Sequence, residues 1–187
     1  MNKPIERELK HLLSPSEYEI LLSSYPFSTP FVQTNTYYDT KDSDLKNHHI
    51  ALRIRKTRSG NILTVKIKTD AITHIELEKP VKEEDPNQIT DPQIRQWFEE
   101  YHIPFPLSVI ASFSTKRAIL ENEQAVICLD ENTFGDHTDH EIEYEYKQEH
   151  DGIPLLNAFL QPAKTRYTKN CPSKLARAIH YNLCVIR

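Results

Sequence analysis

Apolar and polar residues alternate along much of the chain with a period of two, which is the period of a β-strand with one buried face. The alternation predicts strands over residues 5–12, 31–39, 50–58, 62–68, 73–81, 109–121, 125–131 and 140–147. Between them, Ser59-Gly60-Asn61 and Phe134-Gly135-Asp136 are typical of tight turns. Tight turns join antiparallel neighbours, so we expect a mostly antiparallel sheet.

A helical period of apolar residues follows four segments that are typical of helix starts. The first, Ser14-Pro15-Ser16-Glu17, supplies an N-cap serine, a proline at the first helical position and a glutamate that completes a capping box. Asp91-Pro92, Ile153-Pro154 and Pro172-Ser173 mark the other three starts. Since these helices have apolar stripes, we expect them to cover the apolar face of the sheet.

The polar face of several strands carries charges of a single sign. Glu6 and Glu8 lie two residues apart, and this pair alone is better explained by a solvated edge strand than by a metal site. The same spacing recurs in Arg53 and Arg55, Lys66 and Lys68, Glu76 and Glu78, and Glu141, Glu143 and Glu145. A solvated face would mix both signs with Ser, Thr and Gln. The segregation therefore predicts acidic strands that hold a metal and basic strands that hold an anion, across a shared space.

A closed sheet satisfies this pattern, because its apolar face can lie under helices while its charged face lines an interior. The pattern therefore favours an α+β fold in which about eight antiparallel strands close into a barrel with helices packed on the outside, as a single domain over residues 1–187. A charged interior needs metal, anion and water to satisfy it. A triphosphate with a bound divalent metal would satisfy both sets of strands, because the acidic strands can bind the metal and the basic strands can bind the phosphates.

Composition narrows the possible functions. The 187 residues carry a net charge of −4, which disfavours non-specific nucleic-acid binding. Three glycines leave no glycine-rich phosphate loop, so side chains must bind any phosphate. Cys128, Cys171 and Cys184 match no zinc or disulfide spacing and are expected to be reduced thiols. No apolar run is long enough for a membrane span or a signal segment, and we expect a cytoplasmic protein without a membrane or nucleic-acid partner.

Several motifs, in their order along the chain, resemble one known family. They are Glu6-Arg7-Glu8-Leu9-Lys10 (ExExK), Tyr37-Tyr38-Asp39-Thr40 (YxDT), Leu52-Arg53-Ile54-Arg55 (LRxR), Leu63-Thr64-Val65-Lys66 (LTxK) and Ser173-Lys174-Leu175-Ala176-Arg177. This set resembles the CYTH domain, the triphosphate tunnel metalloenzymes, which include class IV adenylate cyclase and thiamine triphosphatase. The likeness is greatest to the stand-alone CYTH proteins of Bacillus-type bacteria, and it extends from residue 5 to about residue 180.

The resemblance implies a closed eight-stranded antiparallel β-barrel that forms a tunnel. It also implies a hydrolase that removes the terminal phosphate of a triphosphate with Mg²⁺ or Mn²⁺. The implied metal ligands are Glu6, Glu8, Asp130, Glu141 and Glu143. The implied substrate-binding residues are Lys10, Arg53, Arg55, Lys66, Lys68, Arg117, Lys174 and Arg177. Catalysis is assigned to Glu6, Glu8, Lys10, Arg55, Lys66 and Glu143, with Glu76, Glu78 and Glu145 in support. The choices between Lys66 and Lys68, and between Lys116 and Arg117, depend on strand register.

Two other functions are compatible with the same set of charged residues. A class IV-type adenylate cyclase would make cyclic AMP from ATP, but it needs a nucleoside pocket, and no adenine-binding signature is visible. A non-catalytic module would bind polyphosphate or a nucleotide without turnover. The expected partner is a small-molecule triphosphate, which is inorganic tripolyphosphate, thiamine triphosphate or a nucleotide. The expected assembly is a monomer or a homodimer.

Overall fold

The computed structural model describes the backbone of residues 4–185 and the side chains of residues 4–181. Within them, the strands are β1 (Ile5–Leu13), β2 (Phe31–Asp39), β3 (Ile50–Thr57), β4 (Gly60–Lys68), β5 (Thr73–Val81), β6 (Ser108–Glu121), β7 (Ala125–Phe134) and β8 (His137–Tyr146). They form a closed antiparallel barrel in the order β1-β5-β4-β3-β2-β6-β7-β8, and β8 pairs with β1. The predicted barrel is therefore confirmed.

The α-helices of the described residues are α1 (Pro15–Ser24), α2 (Asp44–Asn47), α3 (Pro92–Glu100), α4 (Gly152–Leu160) and α5 (Lys174–Val185). Short 3-10 turns cover Pro86–Gln88 and Gln161–Ala163. The predicted capping box starts α1, because Ser14 Oγ accepts from the backbone N–H of Glu17 and the Glu17 carboxylate accepts from that of Ser14. Asp91 caps α3 as predicted.

Two turn regions differ from the sequence prediction. The β3–β4 turn is centred on Arg58 and Ser59, because Thr57 pairs with Gly60. The β7–β8 hairpin is longer than predicted, and its turn is Gly135-Asp136, with Gly135 at φ 60°. The reason is that residues 132–139 are almost all polar, so no apolar alternation marks their pairing.

Helices cover two parts of the barrel's outer surface. Helices α1 and α4 pack on outward-facing residues of β1, β7 and β8, including Leu9, Leu129 and Ile142, which are fully buried. Helix α3 packs on outward-facing residues of β3 and β4, such as Leu52 and Val65. The intervening residues of the same strands point inward, so this burial fixes which side chains face the interior.

Helix α5 packs differently from the other helices. It contacts β6 and β7, and Ala178 is buried against Tyr37, Phe113 and Phe134. These three aromatic residues occupy inward-facing positions, so part of the interior is apolar rather than charged as predicted. The prediction missed this because Tyr37 and Phe134 alternate with polar inward-facing neighbours, such as Asn35 and Asn132. No helix among residues 4–185 is both long and apolar enough to cross a membrane.

Candidate active site

The barrel interior contains a cavity of about 1060 Å³. Side chains from every strand except β7 line it, together with residues 169–173 and the start of α5. The volume is at the upper end of the range for small-molecule sites. Its walls bring together side chains that are more than 100 residues apart in sequence, such as Glu8 and Glu143.

Three glutamates, Glu6, Glu8 and Glu145, form what we call the open carboxylate group. One oxygen from each lies within 4.8 Å of the others, and all three side chains line the cavity. Lys66 Nζ lies 2.9 Å from Glu8 and also contacts Glu6. Arg117 Nη1 is 3.9 Å from Glu145. Both cations are shared with other carboxylates, Lys66 with Glu76 and Arg117 with Asp130.

Burial raises the pKa of two members of the open carboxylate group more than nearby cations lower it. Burial raises the pKa of Glu6 to about 9, helped by a hydrogen bond in which protonated Glu6 donates to Glu76. Burial also raises the pKa of Glu145 to about 7, against the opposing effect of Arg117. At neutral pH Glu6 is therefore protonated and Glu145 about half protonated, and a divalent cation would replace these protons.

Glu8 is the ionised member of the open carboxylate group. Its burial favours the neutral form, but the ammonium groups of Lys66 and Lys10 outweigh this and hold its pKa below the usual value. Lys10 Nζ and Lys66 Nζ each lie 2.9 Å from Glu8 Oε1. His74 Nδ1 is 3.7 Å from the same oxygen, and burial and Lys66 lower the pKa of His74 to about 4. His74 is therefore neutral and lies between the charged side chains of Glu8 and Lys66. The sequence analysis did not predict it as a site residue.

Asp130, Glu141 and Glu143 form the closed carboxylate group. Their oxygens also lie within 4.8 Å of one another, but Asp130 and Glu141 are fully buried and do not line the cavity. Lys174 Nζ contacts all three, at 2.9 Å from Asp130 and 2.8 Å from Glu143. Because Lys174 belongs to α5, these ion pairs attach that helix to the barrel.

Two arginines complete the closed carboxylate group. Arg117 forms a bidentate pair with Asp130 at 2.8 and 2.7 Å and also contacts Glu143. Arg177 lies 2.7 Å from Glu141. Although burial opposes ionisation, Arg117 and Lys174 hold the pKa of Asp130 and of Glu143 below its usual value. Burial outweighs the cations only at Glu141, whose pKa is raised.

Arg55 is a partly buried cation whose nearest charged neighbours include two other arginines, Arg53 and Arg117. In the described part of the chain it forms no ion pair, and its Nε donates to Asn35 Oδ1 at 3.3 Å. Burial and the neighbouring charges of Arg53 and Arg117 lower the pKa of Arg55 to about 10. An anion in the cavity would relieve this repulsion, so Arg55 is the strongest candidate for a phosphate ligand.

Comparison with known proteins agrees with this combination of carboxylates and free cations inside a barrel. The family model of the CYTH domain matches residues 4–178, which is nearly the whole chain. The chain belongs to the CYTH domain family. A Bacillus subtilis relative named "Putative triphosphatase YjbK" is 30% identical over 189 residues, covering 91% of this chain and 93% of the relative.

Two solved structures show the same fold as this CYTH protein. A Bacillus halodurans protein described as a "putative adenylate cyclase" superposes with a TM-score of 0.79 at 25% identity, covering 95% of this chain and 98% of that one. A Hippeastrum protein superposes with a TM-score of 0.74 at 24% identity, covering 95% of each chain. The second likeness concerns the fold alone.

The predicted site residues of this CYTH protein occupy several distinct places. The five predicted metal ligands are divided between the open and closed carboxylate groups, and Glu143 is the member of the closed group that faces the cavity. Glu145, a supporting candidate, joins Glu6 and Glu8. Arg177 does not line the cavity and pairs with Asp139 at 2.7 Å. The roles assigned to these residues stay predictions.

Strand register answers two questions that the sequence left open. Arg117 faces inward, while Lys116 points outward to Glu131 at 3.8 Å. Lys66 and Lys68 both line the cavity, with Lys66 among the carboxylates and Lys68 exposed. The cations that face the cavity also include Lys10, Arg53 and Lys174, all of which contact carboxylates.

The open carboxylate group fits a divalent metal better than the closed group does. Metal dependence is general in the CYTH family, and hard carboxylate oxygens suit Mg²⁺ and Mn²⁺. Glu6 and Glu145 carry protons that a metal can replace, whereas Asp130 and Glu143 are already neutralised by cations. The chemistry of the donors therefore favours the side of the cavity formed by β1 and β8.

Proposed function

We propose that the protein is a metal-dependent triphosphatase that hydrolyses the terminal phosphate of a small-molecule triphosphate inside the barrel. Glu6, Glu8 and Glu145 would hold Mg²⁺ or Mn²⁺, with Glu143 beside them. The observation that carries this proposal is that one cavity is lined both by carboxyl groups with raised pKa values and by an arginine that has no ion-pair partner among the described residues. In a metal-bound triphosphate, the metal would bind the carboxylates and the phosphates would pair with the arginine.

The basic residues would bind the phosphates and stabilise charge during their transfer. Arg55 can offer its guanidinium to phosphate oxygens in a bidentate arrangement. Lys68 has no ion pair among the described residues and can bind a more exposed phosphate near the solvent. Arg53 already pairs with Glu78 at 3.4 Å, so it would contribute mainly by raising the local positive potential.

Water is the expected nucleophile. Burial raises the pKa of Cys171 to about 12 and that of Cys128 well above its usual value, so neither thiol would be ionised for attack. A bound divalent metal would supply Lewis-acid activation and charge neutralisation. Attack of water on the terminal phosphorus breaks its bond to the bridging oxygen and yields phosphate and the diphosphate product.

The relatives support hydrolysis over cyclisation. The Bacillus subtilis protein is named "Putative triphosphatase YjbK", and the Hippeastrum protein, named a "Putative adenylyl cyclase", is described as having a dominant triphosphatase activity. The name of the Bacillus halodurans protein keeps the cyclase as a second candidate. With ATP, a hydrolase gives ADP and phosphate, whereas a cyclase gives cyclic AMP and diphosphate.

Phosphate release tests the proposal. Tripolyphosphate, ATP and thiamine triphosphate are each incubated with the protein and Mg²⁺ or Mn²⁺, with and without a chelator. We expect metal-dependent release from at least one of them. Arg55→Ala should raise the KM for the substrate that is hydrolysed about 10- to 100-fold, because one or two charge-assisted hydrogen bonds to phosphate are lost.

Arg58→Ala is the matched control, since Arg58 lies exposed in the β3–β4 turn outside the cavity. Its KM should equal that of the wild type. If no substrate releases phosphate, or if the two variants behave alike, the proposal is wrong. Cyclic AMP as the main product from ATP would instead support the cyclase, and tight metal-dependent binding without turnover would support a binding module.

A further inference from the structure

One wall of the cavity is apolar. Tyr37, Ala51, Ile110, Leu175 and Ile179, which we call the apolar wall, all line the cavity. They come from β2, β3, β6 and α5, and they pack on the buried cluster beneath α5. Ala51, Ile110, Leu175 and Ile179 are only partly buried, so they present apolar surface to the cavity.

The apolar wall begins where the charged part of the cavity ends. Ala51 pairs with Lys66 across β3 and β4, next to the open carboxylate group. The guanidinium carbon of Arg53 lies 5.9 Å from the centre of the Tyr37 ring. Leu175 follows Lys174 directly in the chain. A ligand whose phosphates lie among the charged side chains can therefore extend along the apolar wall.

An inorganic triphosphate cannot use this surface. Each of its phosphate groups is charged, and placing such a group against Leu175 or Ile179 removes water without offering a hydrogen bond. An organic group gains free energy at the same place by removing apolar surface from water. The large cavity volume also favours a ligand that has an organic group in addition to its phosphates.

We propose that the apolar wall binds the organic part of a triphosphate ester, so the preferred substrates are organic triphosphates rather than inorganic tripolyphosphate. This inference rests on the proposed function of the charged part of the cavity. It assigns specificity to Leu175 and Ile179 on α5, a helix that the sequence predicted to cover the sheet and to supply basic residues. Neither side chain would take part in the chemistry.

The test compares Leu175→Ala and Ile179→Ala with the wild type. Binding of tripolyphosphate, ATP and thiamine triphosphate is measured by calorimetry in Mg²⁺, and phosphate release is measured separately. We expect each variant to lose about tenfold in affinity for at least one of the organic triphosphates, from the apolar surface removed. Affinity for tripolyphosphate should change less than about twofold, which also shows that the variants are folded.

Two further variants complete the test. Ile179→Val keeps most of the apolar surface and should bind nearly as the wild type does. Ile20→Ala removes an exposed apolar side chain of α1 outside the cavity and should change no affinity. If Leu175→Ala and Ile179→Ala lose affinity equally for all three ligands, or for none of them, the inference is wrong. The apolar wall would then serve only to pack α5 against the barrel. Failure of phosphate release alone would overturn the proposed function, while the binding comparison would still decide the role of the wall.

Discussion

The open and closed carboxylate groups arise from the same sequence pattern, two glutamates separated by one residue. Glu6 and Glu8 begin the pattern in β1, and Glu141 and Glu143 repeat it in β8. Each pair gains one more acidic residue from a neighbouring strand, Glu145 or Asp130. The number of carboxylates is therefore the same in the two groups, and their difference comes from what surrounds them.

The closed carboxylate group is matched by three basic side chains, Lys174, Arg117 and Arg177. The open group also contacts three cations, Lys66, Lys10 and Arg117, but Lys66 is shared with Glu76 and Arg117 with the closed group. Two members of the open group, Glu6 and Glu145, have raised pKa values. Charge compensation thus separates their roles. Where cations are sufficient, carboxylates link α5 to the barrel, and where burial outweighs the shared cations, carboxylates can accept a metal.

The largest effect is expected from a substitution in the open carboxylate group. In Glu6→Gln, we expect metal-dependent turnover to fall about 1000-fold, because a metal ligand is lost. Stability without metal should change by less than about 1 kcal/mol, since the amide resembles the protonated carboxyl that Glu6 carries at neutral pH. Phosphate release and urea unfolding in chelator measure the two effects. Unchanged turnover would remove Glu6 from the metal site.

The matching change in the closed carboxylate group is Asp130→Asn. Asp130 is fully buried and ionised between Arg117 and Lys174, so the amide leaves two buried cations short of a partner. We expect the free energy of unfolding to fall by about 3 to 5 kcal/mol, as for other broken buried ion pairs. Urea unfolding measures it. A loss no larger than that of Glu6→Gln would contradict the distinction between the groups.

A smaller effect is expected in the pH dependence of metal binding. Groups with raised pKa values hold protons below those values, so the metal must displace them. Apparent Mg²⁺ affinity should therefore rise with pH as Glu145 titrates near 7 and Glu6 near 9, by up to about tenfold per pH unit for each proton displaced, and level off above pH 9. Calorimetry from pH 6 to 10 measures this rise.

The Glu6→Gln variant sharpens the same measurement. The amide does not titrate, so whatever rise in Mg²⁺ affinity remains should end near pH 7, where Glu145 loses its proton. A wild-type affinity that stays constant between pH 7 and 9 would show that Glu6 does not release a proton to the metal. In that case the open carboxylate group would not be the cation site.

Strong local patterns gave reliable predictions of the fold. The alternation in β2 and β5 predicted their bounds, and the capping signals at Ser14 and Asp91 predicted the starts of α1 and α3. These signals are local, because a strand's two faces and a helix's first turn depend on neighbouring residues. The β7–β8 hairpin was predicted too short because the polar residues 132–139 carry no such signal.

The sequence by itself determined the barrel, the identity of the charged faces and the family. It could not divide the acidic residues into open and closed groups, because their pKa values depend on cations from distant strands and from α5. It also could not show that Tyr37 and Ile110 meet Leu175 to form an apolar wall. Both features require long-range contacts, and only the closed barrel brings those side chains within a few ångströms of one another.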